Sequence, residues 1–239
     1  MLPAAAIHIP RSNVVKATTR HTATLFLFHG SGGCGEDLKQ WIDILNRHEL
    51  KFPHIKIVYP TAPIQPYTPN RGMPSNVWFD RKAISIRVPE VKDSVDLMCK
   101  KASDLIDKEI AEGIPVKRIA VGGFSMGGCL ALHLAYRYQR SIAGCLAMSA
   151  FLNNESSVYE SLKNDKFSAL PELLQFHGTT DNIVPFEWGK TTFDSLQSVG
   201  IKGKFMTLEG AEHELVQKEL KFVKDWLLQL LPENILEKS

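Results

Sequence analysis

The stretch "VGGFSMGGCLALHLA", Val121 to Ala135, decides the reading of this chain. Apolar residues lead into Gly123-Phe124-Ser125-Met126-Gly127, and an apolar run with helical spacing follows. That order is strand, tight turn, helix, with a serine at the turn. A G-x-S-x-G turn of this kind lifts a serine hydroxyl off the end of a strand and aims the next helix N-terminus at developing negative charge. Its glycines are required where a Cβ would collide with the neighbouring strand and helix.

The pattern around this turn predicts a parallel α/β sheet. Short apolar runs read as strands at "ATLFLFHG" (23–30), "IKIVYP" (55–60), "KRIAVGGF" (117–124), "IAGCLAMSA" (142–150), "ELLQFHG" (172–178) and "KGKFMTLEG" (202–210). Between them, apolar residues recur every three or four positions at 36–50, 93–114, 126–138, 187–200 and 213–231, the pattern of helices. Strands that are continuously apolar belong in a sheet covered on both faces. The 239 residues read as one domain, 1–239, with a core from about 22 to 231. The stretch 60–89 carries prolines at 60, 63, 66, 69, 74 and 89 and reads as one long irregular loop. A loop of that length in a compact domain is more often functional than idle.

Composition excludes several classes of function. Hydrophobic residues at 44% and charged residues at 23% describe an ordinary globular protein, and a formal net charge of +2 with no dense Lys/Arg run argues against nucleic acid. The four cysteines, Cys34, Cys99, Cys129 and Cys145, are scattered, show no metal-ligand spacing and read as reduced thiols. The N-terminal residues contain no uninterrupted apolar segment of the signal-peptide type, and no run approaches the length of a membrane span. The expected location is the cytoplasm.

A serine hydroxyl needs a base to become a nucleophile. In α/β-hydrolases the partners follow in the order serine, acid, histidine. His133 falls mid-helix and His177 at a strand end, both structural positions. His213, in "LEGAEHELV", follows a strand and opens the last helix, and is favoured as the base. Asp181, in "QFHGTTDNIVP", also lies just past a strand and is favoured as the acid; Asp165 in a polar stretch and Asp194 in a helix are its rivals. Oxyanion donors are expected at the backbone N–H of Met126 and, from the glycine-rich "FHGSGGCG" after an early strand, at Ser31.

"GGFSMGG", "HGTTDNIVP", "EGAEHEL", "FHGSGGCG", "YPTAP" and "NVWFD" together resemble the acyl-protein thioesterase/lysophospholipase family of small serine esterases, in order from about Thr22 to Leu231. The resemblance implies an α/β-hydrolase fold without a large cap, and a Ser125–His213–Asp181 triad. It implies action on esters and thioesters, S-acylated proteins among them, with no cofactor and no metal. Three positions depart from the family pattern: Met126 stands where glutamine is usual, Ser31 where a bulky apolar residue is usual, and Gly33 where an acidic residue is common. Backbone donors survive such changes, so they bear on the acyl pocket. Within the proline-rich stretch, Tyr67, Trp78 and Phe79 are expected to line a substrate groove. With no cap-sized insertion after Ala150, the site is expected to be shallow and to favour short acyl groups.

Overall fold

The computed structural model describes residues 8–163 and 169–233. Alternate residues of the central strands serve two cores. Phe26 and Phe28 of β2 (Ala23–Phe28) enter one, and Leu25 and Leu27 enter the other. A strand buried on both faces in this way must be covered by helices on both.

Seven strands build the main sheet in the order β1 (Ser12–Val15), β3 (Ile55–Pro60), β2, β6 (Ile119–Phe124), β7 (Gly144–Met148), β8 (Glu172–Gly178), β9 (Gly203–Leu208). All neighbours run parallel except β1, which pairs antiparallel with β3, Ser12 opposite Pro60. Helices α1 (Gly35–Asn46) and α6 (Gln217–Leu230) cover one face through residues such as Leu38, Ile42, Val223 and Leu227. On the other lie α2 (Lys92–Ala111), α3 (Met126–His133), α4 (Ser157–Lys163) and α5 (Phe186–Ser198). This is the α/β-hydrolase architecture that the sequence leads one to expect, with no cap domain among the described residues.

Five features differ from expectation. β1 and α4 were not anticipated. The stretch 60–89 is not wholly irregular: β4 (Ile64–Tyr67) and β5 (Met73–Asn76) form a hairpin in which Pro66 faces Pro74. A two-stranded ribbon tolerates proline, because each strand has an edge that needs no donor. The helix expected at 126–138 is α-helical to His133 and then winds as a π-turn over Leu134–Tyr138. The last helix begins at Gln217, not at 213, because Val216 is extended and its N–H is held by the Glu219 carboxylate at 3.3 Å. His213 therefore sits in a loop.

Candidate active site

Ser125 follows β6 directly and carries a positive φ of 54°, a conformation that strains a residue with a side chain. The turn closes only because its neighbours are glycines. A Cβ on Gly123 would stand 2.3 Å from the Gly127 carbonyl carbon, and one on Gly127 would stand 2.0 Å from Phe28 O. The Ser125 N–H is held by Met148 O at 2.8 Å, and the Cys129 N–H returns to Ser125 O at 3.1 Å, so the strained residue is fixed from both sides.

The loops after β8 and β9 bring two further groups to this serine. A Cβ on Gly178 would collide with Ala211 O at 2.3 Å; its absence lets the loops pack, and Thr180 donates to Ala211 O through both its N–H and its hydroxyl. As a result His213 Nε2 lies 3.0 Å from Ser125 Oγ, and His213 Nδ1 lies 2.7 Å from Asp181 Oδ2. Asp181 Oδ1 accepts the N–H groups of Ile183 and Val184 at 3.0 and 2.8 Å. Burial pushes the Asp181 carboxyl up, but the hydrogen bonds from His177, His213 and Val184 outweigh it and hold the group well below the ordinary carboxylate value. Asp181 thus stays ionised against the imidazole.

The rival residues lie elsewhere. His133 is buried, 3.2 Å from Glu90 Oε1. His177 Nε2 donates to Val184 O at 2.8 Å and stands 3.5 Å from Asp181 Oδ2, buttressing the acid from behind. Asp194 pairs with Lys190 on the surface of α5. Asp165 lies outside the described residues.

Met126 follows the serine directly and Ser31 follows Gly30, where a Cβ would stand 3.4 Å from Ser125 Cβ; among the described residues neither the Ser31 nor the Met126 N–H has a protein acceptor. The loop carrying Ser31 is pinned by a residue that the sequence reading passed over. His29 Nδ1 donates to Gly30 O at 2.6 Å, and its Nε2 accepts the Ala62 N–H at 2.9 Å. Burial lowers the His29 pKa against the raising pull of Gly30 O and Asp37, in keeping with the neutral tautomer these bonds require. Gly32 N–H donates to Asn76 O at 2.9 Å, so the β4–β5 hairpin also holds the loop.

The three aromatic residues expected to line a groove have different surroundings. Trp78 is fully buried beneath the loop: its Nε1–H donates to His29 O at 2.8 Å, and its ring meets Phe28 edge-on at 5.2 Å. It supports the loop from below and, with no exposed surface, lines no groove. Tyr67, nearly buried, faces Ser31 and Arg81. Burial raises its phenol pKa, Arg81 and Ser31 pull it down, and the hydroxyl completes no hydrogen bond. Phe79 lines a gap of only about 10 Å³ with Arg81, Cys129 and Phe151. The Arg81 guanidinium lies 5.2 Å from the Phe79 ring centre and 5.4 Å from that of Phe151.

A larger opening of about 240 Å³ lies between the Ser31 loop and α1, with Phe124 in its lining. Crevices of about 350 and 390 Å³ elsewhere adjoin none of these groups. The charge missing at Gly33 is partly restored: Asp37 Oδ2 lies 3.9 Å from where a Cβ on Gly33 would stand. No helix among the described residues is long and apolar enough to cross a membrane.

A family model described as phospholipase/carboxylesterase matches residues 10–231. Lysophospholipase-like protein 1 of Mus musculus is 49% identical over 227 residues, which cover 95% of this chain and 94% of that protein. Acyl-protein thioesterase 1 homolog 1 of Dictyostelium discoideum is 34% identical, over 94% of this chain and 98% of its own. Among solved structures, acyl-protein thioesterase 2 of Zea mays superposes with a TM-score of 0.82 at 26% identity, covering 92% of this chain and 99% of that one.

Proposed function

This chain belongs to the phospholipase/carboxylesterase family of serine hydrolases, and we propose that it cleaves carboxylic esters and thioesters of short acyl groups through an acyl-enzyme on Ser125. The observation that carries this is the unbroken hydrogen-bonded line from Ser125 Oγ through His213 to Asp181, at 3.0 and 2.7 Å.

His213 Nε2 takes the serine proton as Oγ bonds to the acyl carbon. The negative charge that develops on the acyl oxygen meets the free N–H groups of Ser31 and Met126. The carbonyl re-forms, the bond to the leaving sulfur or oxygen breaks, and the His213 proton passes to that atom. Water, deprotonated by the same imidazole, then releases the carboxylic acid and regenerates Ser125. Asp181 holds the imidazole with Nδ1 protonated and stabilises the imidazolium.

The short-acyl preference rests on Arg81. Cys129 lies one turn along α3 from Ser125, and Arg81 Nη2 meets its Sγ at 3.8 Å. With Phe79 and Phe151 stacked against the guanidinium, the remaining gap holds no more than about one water. An acyl chain entering on that side is stopped early.

Substrates of this kind include small acyl esters and thioesters, and S-acylated cysteines on proteins. A fluorophosphonate probe should label Ser125, and kcat/KM for p-nitrophenyl esters should peak at short chains. An unlabelled, folded protein would leave a hydrolase scaffold that only binds. A steady climb toward the longest soluble esters would restore a long-chain thioesterase reading.

A further inference from the structure

The space near Ser125 is unevenly filled. Arg81 fills the space beside Cys129, one turn from the serine, whereas a cavity of about 240 Å³ stays open between the Ser31 loop and α1. Phe124 ties this cavity to the imidazole: it lines the space, and its ring lies 4.8 Å from the ring of His213. Its other neighbour is Trp41, half-buried, with ring centres 5.1 Å apart. Leu38 completes the apolar lining.

Over this apolar lining stands one charge. Asp37 is an exposed residue of the first turn of α1, and its carboxylate reaches back over the Ser31 loop, 3.9 Å from a Cβ built on Gly33. Its backbone N–H is used by Cys34 Sγ, but among the described residues no cation and no hydrogen-bond donor meets its carboxylate oxygens. An indole ring and an unpaired carboxylate in one recess are the elements that attract an organic cation with apolar substituents.

The side on which the leaving group departs is fixed by chemistry. His213 must hand its proton to the leaving sulfur or oxygen, so whatever is attached to that atom extends past the imidazole. Phe124, which lines the cavity, is the residue packed against that imidazole. We infer that this cavity is the leaving-group subsite, and that Asp37 and Trp41 make it favour alcohols and thiols carrying a positive charge. The inference rests on the hydrolase reading and adds a substrate class to it. Two sources share this chemistry: a small quaternary-ammonium thiol or alcohol, and an acylated cysteine beside a lysine or arginine.

The test compares acetylthiocholine with its neutral carbon isostere, S-neohexyl thioacetate, on the wild-type protein and on Asp37→Asn. Intrinsic reactivities of the two thioesters are common to both proteins, so the change in their kcat/KM ratio isolates the subsite. The ratio should fall by about three- to tenfold in Asp37→Asn, mostly through KM, the range expected of one charge and one ring at a partly exposed site. The wild-type ratio should also fall in about 0.5 M salt, where the screening length drops to a few ångströms. A second arm uses peptides with an S-acetylated cysteine followed by lysine or by norleucine. A lysine preference lost in Asp37→Asn assigns the subsite to acylated proteins, whereas discrimination confined to the thiocholine pair assigns it to small cations. A ratio unchanged in Asp37→Asn and indifferent to salt, in a protein whose Ser125 still reacts with fluorophosphonate, overturns the subsite while leaving the hydrolase standing. No turnover of either thioester and no labelling overturns the hydrolase reading itself.

Discussion

Asp181 gives one carboxylate oxygen to His213 Nδ1 at 2.7 Å and the other to two backbone N–H groups, of Ile183 and Val184. The second contact fixes the orientation in which the first is made. Asparagine at 181 would keep its carbonyl oxygen on those two N–H groups, and so would turn its amide N–H toward His213. The imidazole would then carry its proton on Nε2 and could no longer accept one from Ser125. Asp181→Asn should therefore lose activity on the order of 10⁴-fold in kcat. Ser125→Ala and His213→Ala should each lose about as much or more, and the double variant little beyond either, because the groups act as a unit. Steady-state kinetics on p-nitrophenyl acetate measures all four, and loss with His177→Ala but not with His213→Ala would reverse the assignment.

Trp78 acts on the site through His29. Its indole N–H is the donor to His29 O at the root of the Ser31 loop. Trp78→Phe keeps an aromatic ring but leaves that buried carbonyl without its partner, which costs about 1–3 kcal/mol of stability. The Ser31 N–H should also lose its fixed position, so kcat should fall about tenfold with KM little changed. A lowered Tm with kcat intact would confine Trp78 to a packing role.

These two cases mark how far the sequence reads. The alternation of apolar runs with helical spacing exposes the parallel sheet, because period and apolarity are local properties of the chain. Ser125, His213 and Asp181 are legible because their order and their places after strands are fixed by the fold. His29 is not legible, because it precedes the serine, whereas the base of such a triad follows it, and its two partners, Gly30 O and the Ala62 N–H, leave no local pattern. β1 is four residues long, and its pairing with β3 is made across more than forty positions of sequence. The hairpin was hidden by Pro66 and Pro74, which argue against strands except where two edges meet. Trp78 reads equally well as a groove residue or a core residue, since nothing local reveals whether an indole N–H finds an acceptor.

Glu219 makes stability depend on pH. It is fully buried in the first turn of α6; desolvation raises its pKa to about 8 against the lowering effect of the Val216 N–H. The folded state therefore keeps a proton that the unfolded chain, with an ordinary value of about 4.3, gives up. Between those two values the folded protein binds more protons than the unfolded one, so stability falls as pH rises from about 4 toward about 8. Glu219→Gln, which cannot ionise, should flatten that slope and raise Tm at pH about 8 relative to wild type. Thermal melts of both proteins across this range decide the matter; parallel curves would show that Glu219 does not contribute.

Arg81 offers the most direct test of acyl length. Its guanidinium lies between the rings of Phe79 and Phe151, against Cys129 Sγ, and among the described residues no carboxylate pairs with it. Held there, it is both an obstruction and a cation that an apolar chain would have to desolvate. Arg81→Ala removes both and should join the gap of about 10 Å³ to the space the side chain leaves. Each methylene that can then be buried is worth about 0.8 kcal/mol, or roughly fourfold in kcat/KM. The optimum chain length on p-nitrophenyl esters should move outward by several carbons, with acetate turnover changing far less than that of octanoate. Arg81→Met separates the two effects: it keeps most of the bulk without the charge, so its optimum should stay near wild type if obstruction governs length. Chain-length profiles of both variants that run parallel to wild type would show that the acyl group does not pass Arg81.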